Sequence, residues 1–199
     1  MSSKNYLSIY AKSFNWAGFF LPKKTYKNCS YLYDFCRVVD NIADDEGEIE
    51  IKKIKFQKFV SDFKQKNFEN PVIQNMWNII HEFNISLEII YDLFDGIESD
   101  IKQNVKIDTR KDLLIYCYRV AGTVGLMMAK ILKVSKKQSL KSAIDLGIAM
   151  QLTNISRDVI EDSKKNRSYI NGNFEEINST IKLADTFYKN SFYSIREIP

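Results

Sequence analysis

Three observations predict an all-α domain. Only 7 Gly and 3 Pro punctuate 199 residues, too few turn formers for a many-stranded sandwich. Apolar residues recur at helical spacing from end to end, and no stretch alternates apolar with polar as a half-buried strand does. Hydrophobic residues make up 45% of the chain, enough for a real core, which excludes global disorder and favours one domain over residues 1–199.

The elements follow in order. A first helix is expected over Lys4–Phe19, stopping near Pro22, which sits where a second helix starts. That second helix runs over Lys23–Asp45 and ends at Gly47. Ile51–Gln65 carries an amphipathic pattern, Pro71 opens a short helix to Phe83, and Ser86–Ile101 forms the next with Gly96 inside it. Lys102–Asp108 is a polar loop, Thr109–Leu132 and Lys136–Lys165 are long helices, and Asn171–Asn173 leads into a last helix over Ile177–Tyr193.

Composition excludes several function classes. The balance of 29 basic to 25 acidic residues is slight and mostly lysine, with six arginines, so no nucleic-acid partner is expected. Cys29, Cys36 and Cys117 are odd in number and lack CxxC spacing; they read as reduced thiols of a cytoplasmic protein, neither disulfides nor a zinc site. Met1–Tyr10 shows no signal peptide, and Val120–Leu132 is too short and too polar to span a bilayer, which leaves peripheral membrane contact at most. The sole histidine, His81, and the Lys133, Lys136, Lys137 group read as structural and solvated.

Two segments carry chemistry. Asp40 and Asp44 lie at i, i+4 and share a helix face, with Arg37 one turn earlier on the same stripe. Aspartates at that spacing repel unless a cation lies between them. On the second segment Gln151, Asn154, Asp158 and Asp162 fall within an arc of roughly 80°. This stripe continues from Ala143–Leu152, which is almost wholly apolar and expected to be buried, and buried carboxylates need a positive charge or a metal. Two DxxxD pairs on two long helices offer hard oxygen ligands suited to Mg²⁺, with Mn²⁺ as a substitute, bridging to substrate phosphates.

These segments resemble the two aspartate-rich motifs of the squalene/phytoene synthase family, and three further stretches agree. Ser13-Phe14 with Leu21-Pro22 resembles the N-terminal substrate-side segment, Tyr116–Met128 the family's tyrosine and small-residue helix, and Arg167-Ser168-Tyr169-Ile170 the stretch after the second motif. The resemblance implies an isoprenoid-synthase-type helical bundle around a central cavity. Its activity would be the head-to-head joining of two prenyl diphosphates through a cyclopropyl intermediate. It also implies roles: Asp40, Asp44, Asp158 and Asp162 as metal ligands, Arg37 and Arg157 on diphosphate, Ser13, Phe14, Gln151 and Asn154 on substrate, and Tyr118 near the reacting carbons.

The chemistry suits such residues. Ionising an allylic diphosphate needs neutralised charge, and the cation needs a dry cavity with aromatic faces, for which Phe14, Trp16, Phe19, Phe20, Tyr33 and Phe35 are candidates. Ala121, Gly122 and Gly125 share a face that either admits a neighbouring helix or leaves room for an isoprenoid tail. Asp95–Asp100 reads as structural.

Departures from the family pattern are Asn41 in place of a second adjacent aspartate, which weakens metal binding, Asn171 in place of proline, and Gly18 at a frequently aromatic position. The chain stops at Pro199, where family members continue, so the bundle is expected to lack the last helices and to expose an apolar groove, as a monomer or homodimer. The leading expectation is Mg²⁺-dependent condensation of geranylgeranyl diphosphate to phytoene in carotenoid biosynthesis. The rivals are squalene or dehydrosqualene synthesis from farnesyl diphosphate, a non-catalytic assembly member of the fold, and a membrane-surface bundle without chemistry.

Overall fold

The structure, a computed structural model, describes residues 20–195. The expected helix over Lys4–Phe19 therefore lies outside the described residues, as do Ser13, Phe14, Trp16, Gly18 and Phe19.

The helices from Lys23 onward form where periodicity places them, and their caps explain the boundaries. Helix α1, Lys23–Asp44, starts directly after Pro22. Helices α2, Ile49–Lys64, and α3, Pro71–Phe83, follow; Asn70 caps α3 by accepting from the Val72 amide at 3.0 Å, and left-handed Asn84 ends it. Ser86 caps α4, Leu87–Ser99, and Thr109 caps α5, Arg110–Cys117. The latter continues through a π turn, Tyr118–Gly122, into α6, Thr123–Ile131.

Read as one rod, Arg110–Ile131 is long and apolar enough to cross a membrane by length and composition, where the Val120–Leu132 stretch alone is not. In the fold, 39% of its most apolar window is buried. The small-residue face resolves as close packing: a Cβ added at Gly125 would land on the carbonyl of Ala143, and one at Gly147 on that of Ala121. The rod therefore crosses α7, Lys137–Arg157, backbone against backbone.

Two local features differ from the expectation. The long helix expected over Lys136–Lys165 divides at Asp158 (φ −99°, ψ 13°) into α7 and a short α8, Val159–Lys164. Hydrogen bonds from Asp158 N to Asn154 O and from Asp162 N to Asp158 O, both 2.8 Å, carry the rod through the break. A two-residue parallel pair, β1 Val105–Lys106 with β2 Arg167–Ser168, also forms, too short for any alternation to announce it. Helix α9, Phe174–Ile195, closes along α7 and leaves Phe174, Ile181, Phe192 and Tyr193 exposed.

Two apolar clusters result. One gathers α1 to α4 with Met127 and Ile131 of α6 around Phe35, Phe63 and Phe94, whose rings lie 5.4–6.0 Å apart. Trp77 stacks on Phe63 and donates its indole N–H to the Phe63 carbonyl at 3.0 Å, while exposed His81 only tilts against Trp77. The other joins α5, α7 and α9 with Val105, Tyr169 and Ile170.

Candidate active site

Between the two clusters lies a cavity of about 320 Å³, at the small end of the range for ligand pockets. Tyr33, Cys36, Arg37 and Asp40 reach it from α1, Leu93 and Ile97 from α4, Tyr116, Val120 and Val124 from the π-turn rod, and Gln151 and Asn154 from α7. Asp100 completes the wall. The face expected for Arg37 and Asp40 and the stripe expected for Gln151 and Asn154 thus meet across one space.

Three of the four motif carboxylates are partnered by arginine. Arg37 Nη1 donates to Asp40 Oδ2 at 2.8 Å. Arg167, with its side chain only 10% exposed, donates from Nη1 to Asp44 Oδ1 at 2.8 Å and from Nη2 to the carbonyl of Ala43 at 3.2 Å. Lys165 stands 3.5 Å from the same Asp44 oxygen, and Lys52 Nζ also donates to Ala43 O, so cations close the C-terminus of α1 where an aspartate alone would oppose the helix dipole. On the other segment, Arg157 grips its neighbour Asp158 with two hydrogen bonds of 2.6 Å.

Each pair is split electrostatically. Burial raises the Asp44 carboxyl, but the hydrogen bond and charge of Arg167 and the charge of Lys165 outweigh it and hold it below its ordinary value. Asp158 is held low by its Arg157 hydrogen bonds. Burial, reinforced by the charge of Asp44, pushes Asp40 up. Asp162 is also raised by burial, and it feels Arg167, Asp158, Lys165 and Asp44. The two motifs therefore share one electrostatic neighbourhood around Arg167.

Delivery of Arg167 depends on the short β pair. Val105 N donates to Asn166 O and Ile107 N to Ser168 O, both at 3.0 Å. In extended backbone residues two apart point the same way, so Arg167 and Tyr169 both face inward while Ser168 is exposed. Arg167 meets Asp44, and the Tyr169 hydroxyl meets Asp100 Oδ1 at 2.7 Å. On the outer side of Arg167, a depression of about 420 Å³ is lined by Lys52, Lys102, Lys164 and Lys165 together with Asp44, Asp45, Glu46 and Asp100.

Several assignments change. Tyr118 donates its hydroxyl to Asp92 Oδ2 at 2.9 Å and is absent from the cavity wall; Tyr116 occupies the wall instead. Residues 116, 120 and 124 are four apart and share a face, whereas 118 lies about 200° from 116, a signal periodicity already carried. Phe35 is fully buried in the aromatic cluster and Phe20 is 78% exposed, so of the described aromatic candidates Tyr33 alone reaches the cavity. Arg157 is committed to Asp158. Asp100 was legible only as an acid at a helix C-terminus, where the dipole disfavours it.

Among the described residues no three His, Cys, Asp or Glu side chains gather closely enough to hold a metal, and the cation between the motifs is Arg167. The donor set itself, carboxylates from two helices in one electrostatic neighbourhood, suits a hard divalent cation.

Comparison with known proteins identifies relatives of the chain and of its fold. The family model described as squalene/phytoene synthase matches residues 7–173. The phytoene synthase of Pseudescherichia vulneris is 32% identical over 172 residues, covering 80% of this chain and 55% of that protein. The 4,4'-diapophytoene synthase of Staphylococcus haemolyticus is 32% identical over 193 residues, covering 90% of this chain and 67% of that one. A crystal structure of a dehydrosqualene synthase in complex with ligand superposes with a TM-score of 0.79 at 28% identity, over 99% of this chain and 77% of that one. The chain spans 55% to 59% of the length of the three phytoene synthases from Pseudescherichia, Enterobacter and Pantoea that it matches.

Proposed function

This chain belongs to the squalene/phytoene synthase family, and we propose that it joins two prenyl diphosphates head to head. The observation that carries this reading is the single cavity in which Arg37, Asp40, Gln151 and Asn154 meet apolar walls made by Leu93, Ile97, Val120 and Val124. Such a space accepts a molecule with an anionic head and a hydrocarbon body.

Its residues divide the work. Arg37 holds diphosphate oxygens, and Gln151 and Asn154 orient them by hydrogen bonds. Asp40, Asp44, Asp158 and Asp162 would hold Mg²⁺, which neutralises charge on the leaving diphosphate. Tyr33 presents an aromatic face where positive charge develops. Cys36, also on the wall, has its thiol pushed up to about 12, first by burial and then by Asp40, so it stays protonated and offers no thiolate to trap a cation.

We propose geranylgeranyl diphosphate as the substrate, supported by the likeness to phytoene synthases and by the Tyr116–Met128 stretch. Farnesyl diphosphate is the second reading, favoured by the likeness to the Staphylococcus enzyme over 90% of this chain. The protein would act in the cytoplasm, in peripheral contact with the membrane that receives its product. Incubation with Mg²⁺ and each diphosphate, followed by mass spectrometry of the extract, tests this. A C40 hydrocarbon is expected, a C30 product selects the second reading, and neither product from either substrate overturns both. A non-catalytic role would leave the protein indifferent to Asp40→Asn and Asp158→Asn, which in an enzyme lower turnover by orders of magnitude.

A further inference from the structure

Asp100 ends α4 at the cavity wall with two tyrosine hydroxyls on its carboxyl. Tyr169 donates to Oδ1 at 2.7 Å, Tyr116 donates to Oδ2 at 2.8 Å, and the two hydroxyl oxygens lie 3.0 Å apart. The rings stack at 4.7 Å, which fixes the pair. Three oxygen–oxygen contacts close a triangle, yet an ionised Asp100 leaves only the two hydroxyl protons to fill them. One added proton on Asp100 supplies the third, so the ring of hydrogen bonds is complete only in the protonated form.

Asp100 also borders the outer depression, whose charged residues are Asp44, Asp45, Glu46, Lys52, Lys102, Lys164, Lys165 and Arg167, and on the cavity side its partners are few. Tyr116 comes from α5, Tyr169 and Arg167 from the β2 segment, and Asp40 from α1. Arg167 is itself held by Asp44, and Asp40 by Arg37, while α7 presents only neutral Gln151 and Asn154 to the same cavity.

We propose that Asp100 is the proton store of this cavity, filled through the hydroxyl of Tyr116. The inference rests on the prenyl-joining reading. Closing a cyclopropane from the cation that forms after diphosphate departs requires loss of a proton from carbon. The C–H electron pair becomes the new C–C bond, and the proton passes to the Tyr116 oxygen as the proton of Tyr116 passes to Asp100 Oδ2. The substrate cation ends neutral, and so does the carboxylate. Tyr116 touches the reacting atoms; Asp100 is the positioning residue behind it. The acidity of Asp100 supports the assignment, because burial, opposed by the tyrosine bonds and Arg167, lifts it to about 6.

The test uses the 199-residue chain with Mg²⁺ and prenyl diphosphate, comparing Asp100→Asn, Asp100→Glu, Tyr116→Phe and the Asp100→Asn/Tyr116→Phe pair. Asp100→Asn is expected to lower kcat about 100-fold with little change in KM. Wild-type kcat/KM, which reports the free protein, falls as pH drops through about 6, because a protonated Asp100 cannot accept, and Asp100→Asn loses that limb. Glutamate restores part of the rate, and the double variant is no slower than Tyr116→Phe. Wild-type kcat in Asp100→Asn, or an unchanged acid limb, overturns the inference while leaving the prenyl-joining reading intact. A wild type without turnover overturns the functional reading and this inference with it. Carboxyl ¹³C NMR gives a readout apart from turnover: titration of Asp100 near the ordinary value of about 3.9 overturns the inference alone.

Discussion

Asp44 and Asp100 carry the same carboxyl in opposite settings, and pH separates them. Asp44 is held below its ordinary value by Arg167, so its contribution to stability is present above the unfolded value of about 3.9 and is lost as pH falls through the lower folded one. Asp100 sits at about 6 in the fold, so its ionised form opposes folding, and that opposition is relieved as pH falls from 6 toward 3.9. Asp100→Asn is therefore expected to stabilise the fold at pH 7.5 by an amount on the order of 2 kcal/mol and to leave it unchanged near pH 4, as read by thermal melting across that range. A variant less stable than wild type at pH 7.5 contradicts the sign. Arg167 makes the converse case. Its fork serves Asp44 and the carbonyls of Ala43 and Asp100, the last at 3.4 Å, and a lysine cannot reach all three. Arg167→Lys should weaken the fold by about 1–3 kcal/mol in urea unfolding, because the half-buried Asp44 and the end of α1 lose their partner.

Elements announce themselves in the sequence when many residues agree on a period, and fail to when one or two decide. Most helices from Lys23 to Ile195 were legible because they sustain a helical apolar stripe, and four of them begin after Pro22, Asn70, Ser86 or Thr109. The β pair was not, since two residues per strand hold no alternation and their pairing joins positions 62 apart, Val105 with Arg167. That pair nevertheless delivers Arg167 and Tyr169, which is why the site read from sequence contained Asp40, Gln151 and Asn154 but missed the Asp100 group. The small-residue stripe left two readings open because the partner helix that separates them is not visible from one helix. With that partner in place, Gly125→Ala pits a gain in helix propensity of about 1 kcal/mol against a collision with the Ala143 carbonyl. Backbone cannot move aside as a side-chain tip can, so a net loss of about 2 kcal/mol is expected in chemical denaturation. A gain in stability would mean that the rod and α7 do not touch there.

At the scale of the whole molecule, two families of charge meet around one space, and their balance sets the order in which ligands bind. Asp40, Asp44 and Asp158 are each already neutralised by an arginine. Mg²⁺ alone must compete with Arg37, Arg157 and Arg167 for those oxygens and gains little. A diphosphate attracts the same arginines, and in drawing them it releases the carboxylates to a metal that also binds the diphosphate. The two ligands should therefore bind cooperatively, each raising the affinity of the other by the same factor. At 100 times its dissociation constant a ligand specific for the folded state adds about 2.7 kcal/mol, or some 5–10 °C in melting temperature for a chain of this length. Scanning calorimetry with buffer, Mg²⁺, inorganic diphosphate, and both together is expected to show a shift with both that exceeds the sum of the single shifts. Asp40→Asn should reduce that excess, because it removes one of the carboxylates the metal needs. Shifts that merely add would mean that the arginines and the carboxylates do not exchange partners, and that the charge pairs around Arg167 are fixed struts of the fold.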